Sequence, residues 1–410
     1  MNPNPRSVSI FTAADEQLGD LNQELHKVQQ QLFTLQTPKY VNSGMGTETE
    51  NELCHQGRIL KLKLRQKNLQ KTIRCLERMS MGAGTVEGAD DAVTFAMEAI
   101  INYRYRPALV FDRDHLLRKE DIESLGLMED GKRSWKDLIN YLIASAAGHP
   151  RGVSSLGRGV ARVEHANGAV VGTAWSFGRR QLLSNRHVFL DSGWYYLSKS
   201  PRGSKWKPLD GRKGMLNFTA VEGIEAAGRN GFEVDEIVAS PGADASRIIT
   251  DSDWPFALDP VLDKSELVGI GGSDDALKGR LVAVIGHPTN KDGNPTDEYD
   301  HVFGGAPLKL KRFMPGRLSS QKPLGTYPTN GDQGVPVLMH DCSTLKGASG
   351  SCVIDLGPAD LDPRKLFAGT EKLPSTFGKV IGLHFGGLWS ESNFAVPTWT
   401  LSDTLLKPVL

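Results

Sequence analysis

The 410-residue chain is poor in cysteine: it has only Cys54, Cys75, Cys342 and Cys352. They form no C-x-x-C pair and have no zinc-like spacing to histidine, which argues against a disulfide scaffold or a metal knuckle. Excess charge is lacking too. The 48 Lys and Arg balance 48 Asp and Glu, so this is not a chain that blankets nucleic acid or an acidic membrane with positive charge. No run approaches the ~18 consecutive apolar residues of a membrane span. The N-terminus, MNPNPRSVSIFTAADEQ, lacks the basic start and apolar run of a secretory leader. These absences lead us to expect a soluble cytoplasmic protein with no cofactor, no metal site and no membrane partner.

What is present divides into three textures. Leu18, Leu21, Leu25, Val28, Leu32 and Leu35 alternate three and four residues apart, the seam of a coiled coil. Ile59, Leu62, Gln66, Leu69, Ile73 and Leu76 repeat the pattern with one polar interruption, after the loop-like YVNSGMGTETEN. The first helix is acidic (Asp15, Glu16, Asp20, Glu24) and the second basic (Arg58, Lys61, Lys63, Arg65, Lys67, Lys71, Arg74, Arg78). An antiparallel hairpin over residues 1–83 would let them complement each other. Residues 15–79 could equally pair with a second copy or a regulatory protein, whereas nucleic-acid binding through the basic helix is the weaker reading. Residues 84–152 read as a small mixed adaptor. It has a helical stretch from Asp91 to Asn102, a short strand RPALVF from Arg106 and an amphipathic helix from Ser134 to Ala147 opened by a serine cap.

From about Gly157 short apolar or alternating runs follow one another: GVARVE, AVVGTAWSF, QLLSNRHVF, FEVDEIVAS, LVAVIGHP, SCVIDL and KVIGLHFGG. Gly, Pro, Asn and Asp separate them, which predicts a mainly β sandwich or barrel over residues 153–410.

Three places in this region carry chemistry. His187 follows an apolar strand in LLSNRHV; Asp251 and Asp253 precede an apolar run in DSDWPFALDP; Ser349 sits in the Gly-flanked turn STLKGASGS. A serine hydroxyl is a weak nucleophile unless an imidazole takes its proton and a carboxylate holds that imidazole in the right tautomer. The turn must also bring backbone N–H groups to the developing oxyanion, and Gly347 permits the unusual backbone this needs. The order His, Asp, Ser differs from the Asp, His, Ser of subtilisin-like enzymes and the Ser, acid, His of α/β-hydrolases.

The stretch from about Gly157 onward resembles a trypsin-like, chymotrypsin-fold serine peptidase, closest to the glutamyl endopeptidase branch and its bacterial relatives. The resemblance rests on GTAW…LLSNRHV, on STLKGASGS, on KVIGLHFGG with NFAV, and on IGHP followed by FGGAPLKLKRFMPGRL. It implies a double six-stranded antiparallel β-barrel, a bacterial source, and a Ser-His-Asp peptidase acting on protein or peptide substrates. His187 would be the general base, Asp253 its orienting acid with Asp251 as the alternative, and Ser349 the nucleophile. The amides of Gly347 and Ser349 would form the oxyanion hole. Ser343, Thr344, His384, Gly386 and Gly387 would line the primary specificity pocket. There a hydroxyl and an imidazole, Thr344 and His384, can donate to a substrate carboxylate, which favours cleavage after Glu or Asp. Ala348 stands where digestive trypsins carry the Asp that pairs with a newly cut N-terminus, so that activation switch is absent. The remaining histidines, His287 and His340 near strand ends among them, read as structural. A gate on activity is expected, and the polar stretch between SCVIDL and FGKV is a candidate for it. The rival reading is a catalytically silent scaffold that binds a partner by strand addition.

Overall fold

The computed structural model describes residues 25–27, 29–30 and, apart from short connecting segments, 106–406. Residues 25–27 and 29–30 are helical. The rest of the expected coiled-coil hairpin, and the helix expected from Asp91 to Asn102, lie outside the described residues. The chain divides into two compact units, Met1–Ala96 with Asn330–Gly334 and Met97–Thr329 with Val335–Leu410.

The second unit opens with a two-residue strand, β1 (Leu109–Val110), and then builds its first sheet from β2 (Val160–Glu164), β3 (Val170–Gly178), β4 (Gln181–Ser184), β5 (Tyr195–Ser200), β6 (Gly203–Pro208), β7 (Met215–Asn217), β8 (Gly231–Ala239) and β9 (Ser246–Thr250). The order β8-β7-β2-β3-β4-β9, with β8 also paired to β9, closes six of these strands into a barrel. Closure removes the exposed edges that an open antiparallel sheet would leave. Alternation places Leu182, Leu216, Val234, Ile237 and Ile248 inside. Phe218 stacks on Trp254 with ring centroids 4.2 Å apart, and Phe232 meets the same indole edge-on.

The second sheet uses β10 (Leu281–Gly286), β11 (Arg312–Arg317), β12 (Leu324–Thr329), β13 (Gly331–His340), β14 (Cys352–Gly357), β15 (Val380–Leu388) and β16 (Ser392–Pro397) in the order β1-β11-β10-β14-β15-β16-β13-β12. β10 and β14 are buried along their whole length, which explains why they read as continuous apolar runs in the sequence. The ends of β11 and β13 meet again through the bridge Leu318↔His340 and the hydrogen bond from Asp341 N to Arg317 O (3.0 Å). Six strands therefore come round on themselves here as well. The short strand of RPALVF is β1, and it pairs antiparallel with β11 at Leu109↔Phe313 and Val110↔Arg312. The helix Trp135–Ser145 buries Trp135, Leu138, Ile139 and Leu142 in the same core as Leu281, Ile285, Phe313 and Ile354. The polar stretch after β14 forms the short helix Pro363–Phe367, N-capped by Asp362. Arg133, just ahead of the helix Trp135–Ser145, donates to Ala359 O (2.6 Å), so this candidate gate is anchored to the adaptor by its first half.

Candidate active site

β4 runs into Asn185 and the short helix Arg186–Leu190, which carries His187. β9 pairs antiparallel with β4 in the register Ser184↔Ser246, Leu183↔Arg247, Leu182↔Ile248 and Gln181↔Ile249. The end of β4 and the beginning of β9 therefore lie side by side, and the residues just beyond them meet. Asp244, two residues ahead of β9, accepts from His187 Nδ1 at 2.6 Å and from the His187 backbone N–H at 3.1 Å. Asn185 Nδ2 donates to Asp244 O (2.7 Å) and ties the same turn from the other side. Burial pushes the Asp244 carboxyl up, but His187 as charge and as twofold hydrogen-bond donor, with Arg186 nearby, outweighs it and holds the carboxyl below its ordinary value.

The carboxylate in contact with His187 is thus Asp244, whereas the sequence pointed to Asp253 or Asp251. Asp251 and Asp253 follow the far end of β9, alongside Arg179 and Arg180 of the β3–β4 turn. The Asp253 side chain is 57 % exposed and, among the described residues, its ion-pair partner is the exposed Arg179, at 4.0 Å. The next residue, Trp254, turns inward against Phe218 and donates from Nε1 to Arg158 O (2.9 Å). DSDWPF therefore covers the end of the barrel remote from His187. The signal for Asp244 was present in PGADASRIIT, an Asp directly before a short strand. Ser246 and Arg247 dilute the apolar alternation of that strand.

The turn that carries Ser349 is pinned from both sheets. Thr173 of β3 donates from its backbone N–H to Ser349 O (2.9 Å) and from Oγ1 to Gly347 O (3.0 Å). The same Oγ1 accepts from His287 N (3.0 Å), and Gly350 N donates to His384 O (2.9 Å). A Cβ on Gly172 would lie 2.8 Å from Val188 and 3.1 Å from Ser349 O. Absence of a side chain there thus lets the His187 helix and the serine turn converge on one point of β3. Gly347 has φ +95°, and a Cβ on it would come within 2.5 Å of Thr289. Ala348 O accepts from Ser351 N (2.9 Å); in a planar trans peptide the Ser349 N–H must point the opposite way.

The residues expected to line the specificity pocket lie on two segments, one following β13 and one on β15. Ser343, Thr344 and His384 are buried, and His384 and Gly386 lie on β15, with Gly387 following on the same strand. His340, read from the sequence as structural, stands beside His384. Its ring lies edge-on to that of His384, with centroids 5.3 Å apart and both residues fully buried. The Thr344 hydroxyl and both His340 ring nitrogens are buried with no protein hydrogen-bond partner among the described residues. Burial lowers the His340 pKa to about 3. His384 is held well below its ordinary value by burial first, then by the His340 and His187 charges, against a hydrogen bond that the ring donates to the Phe394 backbone carbonyl, which raises it.

The six-stranded barrel, the His187–Asp244 pair and the pinned serine turn can be set beside known proteins. Residues 172–357 match the family model described as "Trypsin-like peptidase domain". A "Probable serine protease" of Lysobacter enzymogenes is 28 % identical over 268 residues, an alignment that spans 61 % of this chain and 62 % of that protein. Among solved structures, the inactive form of the Rv3671c protease of M. tuberculosis is 16 % identical and aligns over 65 % of this chain and 96 % of its own, with a TM-score of 0.36. Mouse neuropsin is 11 % identical over 61 % of this chain and 93 % of its own, again with a TM-score of 0.36. The fold assignment rests on the strand pairing and the family match.

Proposed function

We propose that the protein is a serine endopeptidase in which Ser349 is the nucleophile, His187 the general base and Asp244 the residue that orients it. The observation that carries this reading is the 2.6 Å contact of His187 Nδ1 with Asp244 on the strand pair next to the serine turn. With Nδ1 committed to the carboxylate, Nε2 is the basic nitrogen. It takes the Ser349 proton as Oγ attacks the peptide carbonyl and returns it to the departing amine; water then releases the acyl-enzyme. The amides of Gly347 and Ser349 serve the oxyanion. For residue preference we propose a carboxylate-bearing side chain on the acyl side of the cut, as in the glutamyl endopeptidase branch. Thr344 and His384 would donate to it, and the His340 ring would support His384 from behind.

A fluorophosphonate probe tests the reading. Wild-type protein should be acylated and Ser349→Ala should not, while both give the same circular dichroism. Labelling that survives Ser349→Ala, or an unlabelled wild type that cleaves no casein, would overturn it and leave the scaffold reading in its place.

A further inference from the structure

The chain entering β1 does more than add an edge strand. Arg106 is completely buried, and its Nε and Nη2 donate to Asp341 Oδ1 and Oδ2 at 3.1 and 2.7 Å. Its guanidinium lies over the Trp135 ring, 5.2 Å from the centroid. Its own carbonyl accepts from Ser343 Oγ at 2.9 Å. Two residues on, Ala108 donates to Val302 O and accepts from Arg312 Nη1 (2.9 Å), so this part of the backbone is fixed to the second sheet. Asp341 begins the run from β13 to the nucleophile turn. The other side of that run is held by Asn393 Nδ2 donating to Cys342 O (2.6 Å). The run 341–344, which ends in the pocket residues Ser343 and Thr344, is thus clasped between Arg106 and Asn393.

We propose that Arg106 is a positioning residue for substrate selection, a strap from the segment ahead of the barrels that sets where Ser343 and Thr344 stand in the pocket. The inference rests on the peptidase reading above. A buried ion pair is a weak source of net stability, because desolvation of both charges offsets their attraction. What a bidentate pair does supply is a fixed geometry. Here that geometry is transmitted over two residues: the Asp341 carboxylate is held by the guanidinium, and the Ser343 hydroxyl by the carbonyl of the same arginine. Arg106 touches no reacting atom in this arrangement; its influence passes through Ser343 and Thr344.

The test uses full-length Arg106→Met, Arg106→Lys and Asp341→Asn, compared with wild type in three measurements. The first is the rate of Ser349 acylation by a fluorophosphonate that carries no side chain for the pocket. The second is kcat and KM over a set of peptide p-nitroanilides scanned at the residue before the cut. The third is thermal unfolding. We expect Arg106→Met and Asp341→Asn to flatten the residue preference about tenfold, chiefly through KM, with acylation changed by less than about threefold. Arg106→Lys should recover part of the preference. Should Arg106→Met fail to fold, Arg106→Lys and Asp341→Asn, closer to the native side chains, carry the comparison. An unchanged preference in the folded variants overturns the strap, and so does a parallel loss of acylation and turnover that only tracks lost folded protein. A wild type that is never acylated overturns the peptidase reading itself, and the strap falls with it.

Discussion

Replacement of Asp244 by Asn separates the acid seen in the structure from those the sequence favoured. Asp244 accepts both the Nδ1 proton and the backbone N–H of His187. Asn keeps the shape, but it can satisfy the backbone N–H with its oxygen only by presenting its NH2 to Nδ1. That amide donor requires Nδ1 to accept, which places the imidazole proton on Nε2, where the base should be. The wrong tautomer is worth about 10⁴ in kcat, or about 5.4 kcal/mol of barrier, in triads of this geometry. The fold should survive, since the Asp244 side chain is 31 % exposed and loss of its contacts costs no more than about 2 kcal/mol. The assay is the pseudo-first-order rate of fluorophosphonate acylation, with Asp251→Asn and Asp253→Asn as companions expected within about twofold of wild type. Linkage gives a second readout. A carboxyl held below its ordinary value contributes stability that is present above about pH 4 and is lost as pH falls through the folded-state value. The stability margin of wild type over Asp244→Asn should therefore vanish in acid and not in base. Acylation of Asp244→Asn within tenfold of wild type, or collapse of Asp253→Asn, would refute the assignment.

Gly347→Ala should lower acylation at least about 100-fold by disturbing the oxyanion amides and destabilise the protein by about 2 kcal/mol, because a Cβ there adopts φ +95° against Thr289. Acylation at the wild-type rate would show that the turn does not need this glycine. His384→Ala should erase a preference for Glu or Asp in a peptide library, and cuts mainly after Arg or large apolar residues in wild type would exclude the carboxylate pocket. His340 is neutral when folded, with a pKa of about 3, so the unfolded chain binds the extra proton as pH drops below about 6.5. Stability from this residue is complete above that value and declines by about 1.4 kcal/mol at pH 5.5. Urea unfolding of His340→Phe should show a correspondingly shallower acid slope, and an identical slope would mean that the ring is protonated in the folded state.

The β architecture was legible because strand periodicity is local. LVAVIG and CVIDLG are buried on both faces, and VARVE and KVIGLHFGG each became strands where the turn residues bounded them. His187 and Ser349 were singled out because each sits in a run whose composition is unusual in itself. The carboxylate that meets His187 was not, since what selects Asp244 is the β4–β9 register, a pairing between segments some sixty residues apart. An isolated reading of DSDWPF sees two carboxylates beside an apolar run, with no means of knowing that Trp254 turns inward and leaves Asp253 in solvent. The place of His340 beside His384 was hidden for a similar reason. It is an edge-on contact across β16, which no spacing in the sequence records.

The serine turn also shows why neither sheet could form the site alone. Thr173, from the first sheet, holds the Ser349 and Gly347 carbonyls and receives His287 N from the second. Ser184 Oγ, at the end of the strand that leads to His187, donates to Thr173 O (2.6 Å). The donors and acceptors of this one threonine thus connect the strand that leads to His187, the turn of Ser349 and the end of β10. Lys311 fastens the same seam from below: its Nζ donates to Gly157 O and Phe218 O at 2.7 and 2.8 Å, and burial drives its pKa well down. Such buried polar connections are costly when half satisfied and rigid when complete. They hold His187 and Ser349 in a fixed geometry across a seam where apolar packing alone would tolerate sliding. The position of Ser349 relative to His187 is therefore a property of the contact between the sheets, with Thr173 as its pivot.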